Sequence, residues 1–230
     1  MELILWDIDG TLVSTGGHGR YAFFEAFEAV FGRTVENDPP IAMGGRTDHS
    51  IAVEIMGMGG IEDPETHLPA MFGALHRALE ARAAAIVAEG GPQPGVVDAI
   101  RAIDERGGAI QSLLTGNIEP NAHVKLGAFG IDELLDMEVG GYGSDHGVRA
   151  ELVGIARDKT RAKHGVDVPA ERITLIGDTP LDIEAAHANG ARALAVATGP
   201  YTLEELEQAR PEAALEDLSD TAAVLAALTR

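Results

Sequence analysis

The chain has 230 residues, 45% hydrophobic and 23% charged, with no cysteine. That composition belongs to a folded domain and excludes disulfides, thiolate metal sites and thiol nucleophiles. Seventeen basic against 37 acidic residues leave a formal charge of −20, which repels nucleic-acid phosphates and anionic membrane surfaces alike.

The length predicts one large domain, or one domain carrying an insertion. Leu3–Ile8 is the first apolar run and ends in Asp7-Ile8-Asp9-Gly10. From Ser14 to Gly91 no strand pattern appears. Phe23, Phe27, Val30 and Phe31 fall on one face of a helix instead. Further helices are predicted around His49–Met56 and across the alanine-rich Ala70–Ala88. Gly16-Gly17 and Gly90-Gly91-Pro92 read as the linkers on either side. A helix over Val96–Arg106 starts after Pro94-Gly95 and stops at Gly107-Gly108. Ala109–Leu114 is a second strand, ending in Thr115-Gly116-Asn117. Helices follow over Asn121–Phe129 and Glu151–Lys163. Ile173–Ile176 is a third strand, ending in Gly177-Asp178, then comes a helix over Leu181–Asn189. Ala193–Ala197 is a fourth strand, before Thr198-Gly199-Pro200. Short apolar runs bounded by glycine suit strands buried on both faces. Their alternation with helices predicts an α/β fold: a Rossmann-like parallel sheet core, residues 1–13 and 92–230, with an inserted all-helical cap domain, residues 14–91. No apolar run approaches the ~20 residues of a membrane helix. Met1–Asp7 lacks the basic start and long apolar stretch of a signal peptide. The expectation is a cytoplasmic protein with neither nucleic acid nor membrane as partner.

Ligands of open parallel sheets sit beyond the carboxyl ends of the strands. Asp7, Asp9, Thr115 and Asp178 all fall at such ends, and Asp182 lies one helical turn past Asp178. Three carboxylates and a hydroxyl at one rim need a cation. Oxygen ligands without neighbouring His or Cys favour a hard ion such as Mg2+, which pairs with a phosphate substrate.

Asp7-Ile8-Asp9-Gly10-Thr11-Leu12, Thr115-Gly116-Asn117 and Gly177-Asp178-Thr179-Pro180-Leu181-Asp182 resemble, in order, the first, second and fourth motifs of the haloacid dehalogenase-like superfamily. The helical insertion after the first motif is similar to the capped subclass that includes phosphoglycolate phosphatases. The resemblance spans nearly the whole chain. It implies a Mg2+-dependent phosphatase of small phosphorylated metabolites, with Asp7 as the nucleophile that becomes an aspartyl-phosphate. Asp9 would protonate the leaving group and then activate water. The metal would be held by Asp7, Asp178 and the main-chain carbonyl of Asp9, with Asp182 a water-mediated ligand or an outer anchor. The Thr115 hydroxyl would bind phosphoryl oxygens, with the amides of Gly116 and Asn117 adding an anion nest. Thr11 would support Asp9 through a hydrogen bond or serve as an ordinary turn residue.

The third motif departs from the family, whose lysine is often followed by proline; no Lys-Pro occurs here. Arg149, at the start of the helix before the fourth motif, is the expected substitute. Lys159 and Lys163 compete for the role but belong to a solvated helix face. Asp9 argues against dehalogenation, and the absence of lysine in 14–91 argues against Schiff-base phosphonate hydrolysis. A phosphosugar mutase remains the alternative, because Arg46 in Gly44-Gly45-Arg46-Thr47-Asp48 matches a cap arginine that grips a second phosphate in β-phosphoglucomutase-like proteins. The competing reading of Arg46 is a loop pair with Asp48, itself expected to cap a helix. A catalytically idle binding member is the other alternative. Thr15 and His18 lie where a hinge is expected, with His18 the weaker candidate. Phe23, Phe27 and Phe31 read as core, His67 and His76 as isolated, and the glycine clusters 57–60 and 140–143 as turns.

Overall fold

The computed structural model describes residues 1–37 and 40–229. Six parallel strands make one sheet: β1 (Glu2–Trp6), β4 (Ala109–Thr115), β5 (Gly141–Tyr142), β6 (Ile173–Gly177), β7 (Arg192–Val196) and β8 (Ala213–Leu215), in the order β5-β4-β1-β6-β7-β8. The chain begins at the centre, builds outwards through β4 to β5, then returns to the other side of β1 with β6. Trp6 of β1 stands in register with Leu113 of β4 and Ile176 of β6. The residues that follow β1 and β6 therefore emerge side by side.

Period-2 alternation divides the strand residues between two faces. Ile4, Trp6, Leu113, Ile176 and Leu194 pack against α5 (Val96–Arg106), α6 (Glu119–Gly127) and α10 (Thr221–Leu228). Leu3, Leu5, Leu114, Leu175 and Ala193 pack against α7 (Glu151–His164), α8 (Pro180–Ala188) and α9 (Leu203–Gln208). Both faces are covered, as parallel sheets require. A buried polar pair in the sheet is satisfied: Trp6 Nε1 donates to Gln111 Oε1 and Gln111 Nε2 to the Ile100 carbonyl.

Four helices follow β1: α1 (His18–Phe31), α2 (Asp48–Met58), α3 (Pro64–Ala81) and α4 (Ala83–Glu89). They share a third hydrophobic cluster, built on Phe23, Phe27, Ile55, Met71 and Leu75, which also takes in Ile118 at the start of α6. The predicted helix over 70–88 is thus two. It starts earlier, with Pro64 at its amino end, and passes through Pro69 on the solvent side, where a carbonyl that has lost its amide partner can meet water. It breaks at Arg82, whose guanidinium reaches Glu25 and the His18 ring. The linkers are not bare: β2 (Val13–Ser14) and β3 (Gly91–Pro92) pair antiparallel. The glycine-rich 140–143 stretch, expected to be a turn, contains the edge strand β5, whose Tyr142 is fully buried with its hydroxyl on the Met137 carbonyl.

Candidate active site

The site forms where β1, β4 and β6 end. The Asp7 amide donates to the Ile176 carbonyl, which fixes Asp7 beside the turn carrying Asp178. Asp7, Asp178 and Asp182 are all buried, each with a carboxylate oxygen within 4.8 Å of the others. The space between them depends on glycine. A Cβ on Gly10 would lie 2.4 Å from Asp178 Oδ2, one on Gly199 1.7 Å from the same atom, and one on Gly177 2.1 Å from Asp182 Cγ. Gly10 also adopts φ +84°, a conformation side-chain-bearing residues rarely take. Thr198 Oγ1 donates to the Gly10 carbonyl and ties the loop after β7 to the first motif.

One cation, Arg149, pairs with two of the three carboxylates. Arg149 Nη2 lies 3.0 Å from Asp7 Oδ1 and also binds Asp182 Oδ1 and the Leu114 carbonyl. Its Nε is buried without a partner among the described residues. Burial drives the Asp7 carboxyl up to about 6; Arg149 opposes the shift, while Asp182 and Asp9 add to it. Asp178 rises to about 8, by burial and by the charges of Asp7 and Asp182, against the Thr11 hydrogen bond and Arg149. For Arg149, burial disfavours the charge, but Asp182 and Asp7 outweigh it and hold the guanidinium protonated. Arg149 is thus the cation paired with Asp7. Lys159 binds Asp145 and Lys163 binds Asp136 and Glu138, away from this cluster.

Asp9 faces the same opening with different partners. Its Oδ2 accepts from Asn117 Nδ2 at 2.8 Å and from Lys125 Nζ at 2.6 Å, and Lys125 Nζ also reaches Asn117 Oδ1 at 2.6 Å. Lys125 is only 5% exposed. Nothing in the sequence assigns it a role. Its one signal was being a lysine at a buried position of an amphipathic helix, which spacing alone does not separate from a solvated one. Asp9, Asp7, Arg149, Asn117, Gly116, Lys125, Thr15, Arg20 and Arg46 line a common cavity of about 180 Å³, with Phe23, Met43 and Ile51 as its apolar wall.

Several expected roles change. Thr11 Oγ1 donates to Asp178 Oδ1 at 3.0 Å and so supports Asp178, not Asp9. Thr115 is fully buried, and its hydroxyl accepts from the amide and side chain of Asn117. It braces Asn117 and lies outside the cavity wall, and the Asn117 amide is not left for an anion nest. Asp182 has both oxygens engaged, one by Arg149 and the other by Thr179, whose amide and hydroxyl donate to it at 3.1 and 2.7 Å at the start of α8. Arg46 pairs with Glu54 and donates to the Ala42 and Ser50 carbonyls; it does not pair with Asp48. The cap of α2 is Thr47, which accepts from the Ser50 amide, whereas Asp48 is buried and accepts from the Ile118 amide. His18 is buried between Glu89 and Arg82 where the linkers meet.

No curated protein sequence matches the chain. Among solved structures, a hydrolase from Pseudomonas syringae superposes with a TM-score of 0.71 at 19% identity, covering 98% of each chain. CbbY from Rhodobacter sphaeroides, in complex with phosphate, gives 0.70 at 22% identity over 98% of this chain and 99% of that one. A predicted phosphatase from Clostridium acetobutylicum gives 0.70 at 17%, covering 98% of each. At these identities the likeness establishes the fold. The haloacid dehalogenase-like hydrolase family model matches residues 4–187, and the chain, with its aspartates at the ends of β1 and β6, belongs to that family.

Proposed function

We propose that the protein is a phosphoric monoester hydrolase that acts with Mg2+ on small phosphorylated metabolites, in the cytoplasm, with residues 14–91 as a cap domain over a core of 1–13 and 92–230. The observation that carries this reading is the pair Asp7 and Asp178: buried carboxylates from adjacent strand ends, close enough to share an ion and short of positive charge. With Asp182 they make three carboxylates against one arginine. All the donors are oxygens, and Asp178 Oδ2 lies in a cradle kept open by Gly10 and Gly199, so the residues fit a hard divalent cation. Asp7, Asp178 and the Asp9 carbonyl would hold it. When bound, such an ion neutralises phosphoryl oxygens and lets an anionic nucleophile approach them.

The chain's own groups supply the rest. Asp7 attacks phosphorus, forming an acyl-phosphate bond as the ester P–O bond breaks. The leaving alkoxide takes its proton from Asp9. Asp9 then takes a proton from the water that attacks the phosphoenzyme, releasing inorganic phosphate and restoring Asp7. Arg149 holds Asp7 in place and offsets its charge. Gly116 and Asn117 line the phosphoryl end, and Thr115 braces Asn117 from behind. Asp182 anchors Arg149 and acts on the metal only at a remove. A cap over the cavity would exclude bulk water during turnover.

The phosphosugar mutase reading depended on Arg46 gripping a second phosphate. Its engagement with Glu54 favours the hydrolase. Hydrolysis of p-nitrophenyl phosphate with and without Mg2+ tests the proposal. Release should require the metal and vanish in Asp7→Asn, and Asp9→Asn should lose ~10²–10⁴-fold in kcat. Full activity in excess chelator, or in Asp7→Asn, overturns it.

A further inference from the structure

Lys125 is a cation that the steps above leave unused. Asp7 has Arg149 for its counter-charge; among the described residues the carboxylate paired with Lys125 is Asp9. The Asp9 side chain is 44% exposed, whereas that of Lys125 is buried. The lysine is therefore the fixed member of the pair and the carboxylate the movable one. Two elements fix it. Asn121, Ala122 and Leu126 are buried beside it on α6. The first turn of α1 closes over its ammonium: a Cβ on Gly19 would lie 3.5 Å from Lys125 Nζ. A buried ion pair adds little net stability, so stability alone does not account for a lysine here.

Asn117 sets the geometry. Its Nδ2 donates to Asp9 Oδ2 and to Thr115 Oγ1, each at 2.8 Å, and its Oδ1 accepts from Lys125. An ammonium only donates and an ionised carboxylate only accepts, so the amide stands one way round. The Asn117 main chain is held as well. Its carbonyl accepts from the Gly143 amide at 2.8 Å and its amide donates to Thr115 Oγ1. Thr115, Asn117 and Lys125 thus form one buried relay that meets Asp9 at a single atom, Oδ2. With two N–H donors already on Oδ2, the acid form of Asp9 carries its proton on Oδ1.

We propose that Lys125 is a positioning residue for the proton transfers of Asp9, and that Thr115 and Asn117 of the second motif serve this grip. The inference rests on the hydrolase reading above. As the ester P–O bond breaks, the Oδ1 proton passes to the leaving oxygen. Lys125 and Asn117 keep Oδ1 turned towards that oxygen, where a small misplacement is costly. Lys125 acts through Asp9 and exchanges no proton itself.

Paired assays with phenyl phosphate and 2,4-dinitrophenyl phosphate in excess Mg2+ test this. Phenolate is a poor leaving group and needs the Asp9 proton, whereas dinitrophenolate departs as a stable anion. At initial rates kcat/KM reports only the steps up to P–O cleavage, which separates the acid step from the later attack of water. Lys125→Met should lower kcat/KM ~10–100-fold for the phenyl ester and by less than about threefold for the dinitrophenyl ester. A merely structural lesion would lower both alike. Lys125→Arg should recover part of the loss on the phenyl ester. Lys125→Met combined with Asn117→Ala should cost less there than the product of the two single losses, because both groups hold one oxygen. Lys125→Gln replaces Lys125→Met if that variant does not fold. An equal loss on both esters, no loss on either, or losses that multiply in the double variant overturn the assignment and leave the hydrolase reading standing. A wild type that hydrolyses neither ester with Mg2+ removes the hydrolase reading, and the role of Lys125 with it.

Discussion

Asp9 is gripped from one side. Lys125 and Asn117 both bind Oδ2, while no hydrogen bond among the described residues falls on Oδ1, the oxygen left to exchange protons with substrate and water. We expect Lys125→Met to lower kcat ~10–100-fold by letting that carboxylate swing, since an ångström of misplacement costs about two orders of magnitude. Lys125→Arg should recover part of the loss, and steady-state assays of both variants check this. Asp48 gives a second residue-level expectation, about stability. Burial lifts its carboxyl from 3.8 to about 7, against the opposing charge of Lys125 and the Ile118 N–H. Between those values the folded chain holds a proton that the unfolded chain has released. Stability therefore falls as pH rises from about 4 to 7, and Asp48→Asn, which keeps an acceptor for Ile118, should flatten that slope in melting temperatures. Asp7, Asp9 and Asp178 were legible in the sequence because each closes an apolar run. Arg149 was legible because it precedes the right helix. Lys125 and Asp48 were not, because nothing in helical spacing marks a charged residue whose partner lies far along the chain.

The strand-end turns are packed to the limit at their glycines. A methyl on Gly199 would overlap Asp178 Oδ2, and one on Gly116 would sit 1.9 Å from the Arg46 carbonyl oxygen. Gly199→Ala should therefore raise the Mg2+ concentration needed for half-maximal activity. Gly116→Ala should push the 43–48 loop outwards and raise KM more than it lowers kcat. Titrations of metal and substrate separate the two effects, and equal behaviour of both variants would contradict this assignment. The same elements show what periodicity can and cannot reveal. β1, β4, β6 and β7 were found to within two residues, because burial on both faces gives continuous apolar runs. β5 and β8 have two and three residues and left no run to read. The break between α3 and α4 turns on tertiary contacts of Arg82 with Glu25 and His18, which no local propensity encodes.

At the scale of the whole molecule, the acidic centre links metal, protons and stability. In the metal-free protein burial favours the protonated forms of Asp178 and Asp7, so protons compete with a cation for the same oxygens. Added Mg2+ should raise the melting temperature more at pH 8 than at pH 6, because a ligand of the native state stabilises by mass action once its ligands are free. The increment should disappear in Asp178→Asn, and scanning calorimetry at both pH values would reveal a pH-independent effect if the link were absent. The α/β class and the helical insertion were readable from the order of runs alone. The pairing of the two linkers was not, since two residues on each side carry no pattern. That small pairing has a consequence for the design of the chain. Val13 opposite Pro92 and Ser14 opposite Gly91 bring both ends of the 76-residue excursion between Ser14 and Gly91 to a single doorway. A two-residue turn could close them into a hairpin, so a helical excursion of another length enters and leaves through the same two strands without re-threading the sheet beneath.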